Sequence, residues 1–371
     1  MTTKHILFVE DEVTQLDMFE SAVGDWNGKN EGVGKAFTFD VARTVEEAYS
    51  ALTRLRCDAA LFDLRVTSEA DGGKSEPRGN ELARQALKER GIPVAIISAN
   101  TGELDDDVRT AGAVAVFDKN DPHGDEGNYY DRALAWLGSQ WDMMDVLGQA
   151  RRAMDASAAD IFLLRLWPRW KMFAELETAD REELVSIVTR QYVSHMADML
   201  GLDDPANVSW HPFENYVSPA LMSARAHTGD IFEFEGTLWV VLTPQCDMAT
   251  QKVDNAILAK CVPGITDWPE MVDVYKAQAS AKSIERSTKF FMRLVNQNVE
   301  PSRHFLPALP GKVEPILVHF SSVMTMPLGD LNGALEHRVA SIASPFLSNI
   351  VQRFGAYVSR TGQPNIDIAR F

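Results

Sequence analysis

The sequence predicts an α/β protein: a doubly wound, five-stranded parallel sheet, then helices, then an α+β region with a small antiparallel sheet or barrel. Short apolar runs alternate with helical patterns over residues 1–138, as in a parallel sheet covered on both faces. Polar residues follow several of these runs at the strand ends. Beyond Trp210 the apolar runs are closely spaced and separated by glycine turns, which is typical of antiparallel strands.

Length, charge and cysteine content limit the class of protein. The 371 residues suffice for two or three domains, and we expect boundaries near 138 and 205, giving regions 1–138, 139–205 and 206–371. The net charge of −17 argues against a surface made as a whole for nucleic acid or anionic membrane. Three cysteines without a CxxC pair indicate a reducing compartment. We find no signal peptide or membrane-spanning stretch and therefore expect a cytoplasmic protein.

Apolar periodicity and capping residues locate the elements of the first region. Thr44 and Glu47 form a capping-box pattern before one of the helices. We predict strands at about residues 5–9, 37–41, 59–63, 93–98 and 113–117, and helices at about 13–23, 45–55, 81–89 and 129–137.

Five polar side chains follow the strands of this predicted sheet. Glu10 and Asp11 come after the first strand, Asp63 ends the third, Ser98 ends the fourth and Lys119 follows the fifth. Parallel strands bring these ends to one edge, where open α/β sheets bind ligands. Clustered carboxylates suit Mg²⁺, and a hydroxyl and an ammonium suit phosphoryl oxygens. The pattern therefore predicts phosphoryl transfer with Asp63 as nucleophile.

The same stretches resemble the receiver domain of bacterial response regulators. They are Ile6–Glu12, Leu61–Leu64, Ile96–Ala99 and Phe117–Lys119. The resemblance implies a flavodoxin-like fold that takes a phosphoryl group from a histidine kinase onto Asp63. It also implies that Glu10, Asp11 and Asp63 hold Mg²⁺ and that Ser98 and Lys119 contact the phosphoryl group.

The sequence departs from the receiver pattern at three places. Val66–Arg78 makes a longer loop than usual after the aspartate, Val116 stands where an aromatic residue is usual, and Asn120 replaces a proline. Long loops in compact domains are usually functional or mobile. These departures leave open a degenerate receiver that folds, is never phosphorylated and serves as a scaffold.

Two groups of residues in the second half are candidates for chemistry. Cys246 and Asp247 follow a predicted strand, and Cys246 is either a nucleophile, a metal ligand or a buried structural residue. We also predict one long helix from Trp268 to about Asn298. Its four cations share one face, which either binds anions or is solvated and pairs with acids: Lys282, Arg286, Lys289 and Arg293.

These observations predict a two-component response regulator whose receiver controls an atypical C-terminal effector through protein–protein interaction or dimerisation. Gly229–Ile231 and Val240–Pro244, in a stretch of about 50 residues, resemble the SH3-like barrels of MazF/PemK-type toxins by analogy. A nucleic-acid-binding or ribonuclease-like effector is therefore the alternative. The partners expected are a histidine kinase and a second copy of the chain; nucleic acid is less favoured, and no membrane partner is expected. Beyond the phosphorylation and dephosphorylation of the receiver itself, no clear catalytic set supports an enzymatic effector, and an enzyme centred on Cys246 and Asp247 is a third alternative.

Overall fold

The computed structural model describes residues 2–54, 56–68, 75–121, 127–175, 180–202, 210–220 and 224–361. The chain divides into two compact units, residues 1–168 and 169–371. Position 55, where a helix was predicted to end, and residues 69–74 of the predicted loop lie outside the described part. In the described part, no helix has the length and apolar character needed to cross a membrane.

The first unit is built on a parallel sheet. Its described strands are β1 (Thr2–Val9), β2 (Lys35–Ala42), β3 (Ala59–Asp63), β4 (Val66–Thr67), β5 (Ser75–Glu76), β6 (Val94–Ser98) and β7 (Val114–Asp118). Five of them pair in parallel in the order β2-β1-β3-β6-β7, while β4 and β5 form a separate antiparallel pair. This is the doubly wound order, and the predicted fold class is confirmed.

Helices cover both faces of this sheet. They are α1 (Val13–Asn30), α2 (Val45–Arg54), α3 (Gly79–Gln85), α4 (Asp106–Arg109), α5 (Tyr129–Ser139) and α6 (Trp141–Ile161). Alternate side chains of β1 enter opposite cores: Leu7 and Val9 pack with α2 and α3, whereas Ile6 and Phe8 pack with α1 and α5. All four side chains are fully buried, which explains why the strands are continuous apolar runs.

Helix α6 belongs to the first unit. Its Trp141 is buried in the same core as α1 and α5 and stacks on Trp26, with ring centroids 5.8 Å apart. The Asp145 carboxylate lies 2.8 Å from the Lys4 ammonium on β1. The start of the predicted helical linker is therefore packed against the sheet domain.

The second unit contains an antiparallel sheet of seven strands. They are β8 (Tyr216–Val217), β9 (Asp230–Phe234), β10 (Thr237–Val241), β11 (Asn255–Pro263), β12 (Arg303–Leu306), β13 (Ile316–Pro327) and β14 (Arg338–Ile342). Their order is β12-β13-β11-β10-β9-β14-β8. The hairpin from β9 to β10 turns at Glu235 and Gly236, both with positive φ, as the glycine there predicts. The α+β class of this region is confirmed.

The helices of the second unit lie before, between and after these strands. They are α7 (Trp170–Ala174), α8 (Arg181–Met199), α9 (Gln245–Thr250), α10 (Trp268–Ala277), α11 (Ala281–Val295), α12 (Leu328–Gly333) and α13 (Phe346–Val358). One apolar core of the unit combines strand residues with α13, whose Ile350 is fully buried.

The prediction of one helix from Trp268 to about Asn298 is wrong. Gln278 ends α10 in the left-handed region at φ 44°. The Ser280 hydroxyl then accepts a hydrogen bond from the Ser283 amide and starts α11. Serine at an N-cap competes with helix continuation, because its side chain replaces a backbone acceptor.

Candidate functional site

Three predicted residues meet at the carboxyl edge of the parallel sheet. The Lys119 ammonium lies 2.7 Å from Asp63 Oδ2 and 3.3 Å from Glu10 Oε2. Glu10 follows β1, Asp63 ends the neighbouring central strand β3, and Lys119 follows the edge strand β7. One cation therefore serves two carboxylates that come from positions far apart in the sequence.

Burial makes the charges of this group interdependent. Glu10 is 1% exposed. Burial, with a further contribution from the Asp63 charge, raises the pKa of Glu10 to about 7 although Lys119 lowers it. Burial also lowers the pKa of Lys119, but Asp63 and Glu10 outweigh this and raise it above its ordinary value. The site thus holds more negative charge than one lysine balances.

Asp11 is held by a contact that the sequence analysis missed. The Thr67 hydroxyl on β4 donates a hydrogen bond to Asp11 Oδ2 at 2.6 Å. Thr67 belongs to the long loop after Asp63, so that loop holds one of the predicted ligands. The unusual loop length was the only sequence signal for this role.

Ser98 lies at the end of β6 and is 2% exposed. Its hydroxyl accepts a hydrogen bond from the Asn100 amide at 2.9 Å, and its carbonyl accepts one from the Lys119 amide at 2.9 Å. The backbone of Lys119 is therefore fixed to the strand end that carries Ser98, and both residues lie at the same edge as Asp63.

Gly79 is a second residue that sequence reasoning missed. A Cβ atom there would lie 2.7 Å from Leu64 Cα and 2.8 Å from the Asp63 carbonyl oxygen. The Gly79 amide also donates to the Leu64 carbonyl at 2.9 Å. Only glycine allows α3 to begin this close to the β3 end. The return of the long loop thereby fixes the backbone of Asp63.

The carboxylate oxygens of Glu10, Asp11 and Asp63 are the type of ligand that a hard divalent cation prefers. Carboxylate oxygens are the protein ligands that Mg²⁺ prefers, and the raised pKa of Glu10 shows that a further positive charge would stabilise its ionised form. In the described residues, no three His, Cys, Asp or Glu side chains are yet gathered closely enough to hold a metal ion. Asp11 binds Thr67 and the Lys119 ammonium bridges the other two carboxylates.

Cys246 and Asp247 lie at the start of α9. Cys246 is exposed, so the alternative of a buried structural cysteine is wrong for this residue. Its thiol contacts Asp247 Oδ1 at 3.7 Å. A nucleophilic role would require a base, and a catalytic or metal-binding role for this pair stays a prediction.

The four predicted cations all lie on α11. Two of them form ion pairs, Arg286 with Glu270 at 3.2 Å and Lys289 with Glu285 at 2.7 Å. The Arg293 guanidinium lies 5.8 Å from the Phe290 ring centroid. Lys282 is exposed. Pairing with acids reduces the positive potential of this face, and anion binding there stays a prediction.

Known proteins resemble this chain in structure rather than in sequence. No protein-family profile matches it, and no curated protein does. Solved structures similar to it include a CheY-like receiver domain from Methanospirillum hungatei JF-1, at 18% identity and TM-score 0.27, covering 39% of this chain and 98% of that one.

Two further similar structures are also receiver domains. One is that of a sensor histidine kinase from Pseudomonas aeruginosa PAO1, described with magnesium in its active-site cleft, at 18% identity and TM-score 0.27, covering 38% of this chain and 98% of that one. The other is that of CheB from Thermotoga maritima, at 18% identity and TM-score 0.28, covering 39% and 98%. At these identities the matches concern the fold alone.

Proposed function

We propose that the chain is a response regulator whose first unit accepts a phosphoryl group on Asp63. The observation that supports it most directly is the group of Glu10, Asp63 and Lys119 at the carboxyl edge of the parallel sheet. Two carboxylates bridged by one lysine, one of them fully buried and the other largely so, have little value for stability alone, since burying charges is costly. The arrangement is better suited to receiving a phosphoryl group.

The chemistry assigns one step to each side chain. An Asp63 carboxylate oxygen attacks phosphorus and forms the new P–O bond, while the P–N bond of a kinase phosphohistidine breaks and its electron pair stays on the imidazole. Lys119, already 2.7 Å from Asp63 Oδ2, neutralises charge on a phosphoryl oxygen. The Ser98 hydroxyl donates to another. Preorganised donors of this kind lower the barrier because they need little reorganisation.

Magnesium completes the proposed site. Glu10, Asp11 and Asp63 would hold the ion. When bound, Mg²⁺ neutralises charge on the attacking and phosphoryl oxygens. The protein's own contribution is to keep Glu10 buried, to hold Asp11 through Thr67 and to fix Asp63 against Gly79.

We further propose that phosphorylation controls contacts of this chain with a partner or with a second copy of itself. Phosphorylation replaces the single negative charge of the Asp63 carboxylate with the nearly double charge of an acyl phosphate, at a site that already has a negative excess, and this favours a second packing of the surrounding loops. Helix α6 offers an apolar surface for such contacts: Val146, Leu147 and Met154 are 65%, 44% and 48% exposed.

The proposal is tested with a small-molecule phosphodonor and Mg²⁺. Acetyl phosphate should add one phosphoryl group to the full chain by intact mass, whereas Asp63→Asn should add none. Asp25→Asn, an exposed aspartate of α1, is the matched control and should react as the wild type does. Beryllofluoride with Mg²⁺ should then change hydrogen exchange outside the phosphorylation site in the wild type alone.

Two results would contradict the proposal. Phosphorylation of Asp63→Asn at the wild-type level would place the acceptor elsewhere. Failure of the wild type with both acetyl phosphate and phosphorylated histidine kinases would indicate the degenerate scaffold instead.

A further inference from the structure

The second unit contains a cavity with both polar and apolar walls that the proposed phosphorylation does not use. Its volume is about 380 Å³, within the range of pockets that hold small organic molecules. The end of α11 and the residues after it, strand β12 and helix α13 supply most of its lining, which includes Val295, Gln297, His304, Phe346, Asn349 and Arg353.

Buried polar atoms without partners concentrate around this cavity. Four such side-chain atoms occur in the described residues, and two of them, His304 Nδ1 and Arg353 Nε, belong to cavity-lining residues. A third is Trp210 Nε1, whose ring packs edge-on against Phe346, with centroids 5.5 Å apart. Arginine Nε and tryptophan Nε1 can only donate. A buried donor without an acceptor costs about 1–3 kcal/mol, so these atoms indicate a missing acceptor.

The charge around the cavity is positive. Arg353 lines it, its Nη2 donates to the Arg303 carbonyl at 2.9 Å, and none of the described residues that line the cavity is acidic. His304 is 3% exposed. Burial and the nearby Arg353 lower the pKa of His304 to about 3, so its imidazole is neutral at pH 7. Arg353 therefore supplies the charge and His304 a neutral polar atom.

The backbone at the start of α13 also favours an anion in this cavity. Helix α13 has 13 residues and begins at Phe346 without a side-chain cap. Its first turns line the cavity through Pro345, Phe346 and Asn349. The Leu347 and Ser348 amides donate to the Ala343 and Pro345 carbonyls, so the start of α13 contributes mainly the positive end of the helix dipole, which is a favourable position for an anion.

We propose that this cavity binds a small organic oxyanion, with the phosphate or carboxylate group held by Arg353 and His304. Val295, Pro345 and Phe346 form the apolar part of the lining, and the volume exceeds that of an inorganic ion, so the anionic group belongs to a molecule with an apolar body. Gln297 is held in place by two hydrogen bonds to the Phe305 backbone, each 2.8 Å, which keeps this wall of the cavity rigid.

Calorimetry on the full chain without Mg²⁺ tests the proposal with three probes of matched shape. Phenyl phosphate and benzoate carry the anion on one ring, and phenol is the neutral counterpart. At least one anion should bind, and phenol should bind at least tenfold more weakly. The comparison of phenyl phosphate with benzoate decides between a phosphate and a carboxylate ligand.

Two variants locate the binding. Arg353→Gln should weaken it by about tenfold or more, because a charged hydrogen-bond donor is lost. Asn349→Asp keeps the size of the side chain and adds a negative charge to the cavity, and it should weaken binding by at least about threefold. Lys252→Gln, an exposed lysine after α9, makes the same charge change as Arg353→Gln and should leave binding unchanged.

Either of two results would overturn the proposal. One is that neither anion binds better than phenol. The other is that both cavity variants bind as the wild type does. If circular dichroism shows that Arg353→Gln is unfolded, Asn349→Asp decides the outcome, since no hydrogen bond of the Asn349 side chain is seen among the described residues.

Discussion

The carboxylate site of the first unit and the cavity of the second unit differ in how their polar groups are matched. Around Lys119, the two carboxylates and the ammonium all have partners within the protein. Around Arg353, buried donors have none in the described residues. A matched site can respond by exchanging one partner for another, as a phosphoryl group would exchange with a carboxylate oxygen. An unmatched site gains stability when a ligand arrives.

The largest effect should come from removing the shared cation of the matched site. Lys119→Met leaves the buried Glu10 and the partly buried Asp63 without a counter-charge, so we expect the free energy of unfolding to fall by about 3 kcal/mol at pH 7. Mg²⁺ should restore more stability to this variant than to the wild type, because the ion replaces the lost charge. Urea unfolding with and without Mg²⁺ measures both.

Glu10→Gln serves as the companion change in that experiment. In the Lys119→Met background it should recover part of the lost stability, since the buried carboxyl group that has lost its counter-charge is replaced by a neutral amide. Lys29→Met, an exposed lysine of α1, controls for the substitution itself. Equal stability losses for Lys29→Met and Lys119→Met would mean that the matched site contributes nothing.

A second test concerns the backbone contact that fixes Asp63. Gly79→Ala places a methyl group within 3 Å of the Leu64 and Asp63 backbone, so we expect a loss of about 2–3 kcal/mol in the free energy of unfolding. Gly28→Ala, in α1 with nothing within 4 Å, should instead gain about 0.5–1 kcal/mol. Thermal unfolding of the two variants should shift in opposite directions. If the unfolding temperatures of both variants shifted in the same direction, the close backbone contact at Gly79 would not explain the effect.

The buried His304 of the cavity should make the free energy of unfolding depend on pH. His304 has a folded-state pKa of about 3 against about 6.5 in the unfolded chain, so the unfolded chain binds the extra proton between these values. The folded state must then lose stability on acidification from pH 6.5 downwards, by about 2 kcal/mol at pH 5 relative to pH 7. Urea unfolding at both pH values, in the wild type and in His304→Gln, isolates this contribution. If the pH dependence of stability were the same in His304→Gln as in the wild type, the contribution of His304 would be excluded.

The smallest effect should come from an exposed ion pair that belongs to neither site. Lys289 lies 2.7 Å from Glu285 on α11, and both side chains are well exposed. Lys289→Ala should change the free energy of unfolding by no more than about 0.5 kcal/mol, as measured by thermal unfolding in 0.15 M salt. A loss as large as that of Lys119→Met would show that burial does not determine how much an ion pair contributes to stability.

Much of the first unit was predictable from local sequence patterns. Each strand is a buried apolar run, and in a parallel sheet the carboxyl ends of such runs must share an edge. The strand ends therefore predict one site for Glu10, Asp63 and Lys119, and the structure brings these three side chains together. Thr67 and Gly79 were missed, because their roles depend on how a long loop folds back onto β3.

The second unit was predictable only in class. Alternating strands and glycine turns indicated an antiparallel sheet, but the strand order brings β14 between β9 and β8, far from its sequence neighbours. The prediction of one long helix was wrong because Gln278 ends one helix and Ser280 begins the next. Apolar periodicity does not reveal such a local break.

The sequence by itself determined which side chains end the strands of the first unit, since strand direction and apolar runs suffice to place them. Only the tertiary structure decided which polar groups find partners. His304 on β12 and Arg353 on α13 are 49 positions apart, and nothing in their local sequence indicates that they line one cavity. Hydrogen bonding and burial depend on neighbours from distant elements, which local patterns do not encode.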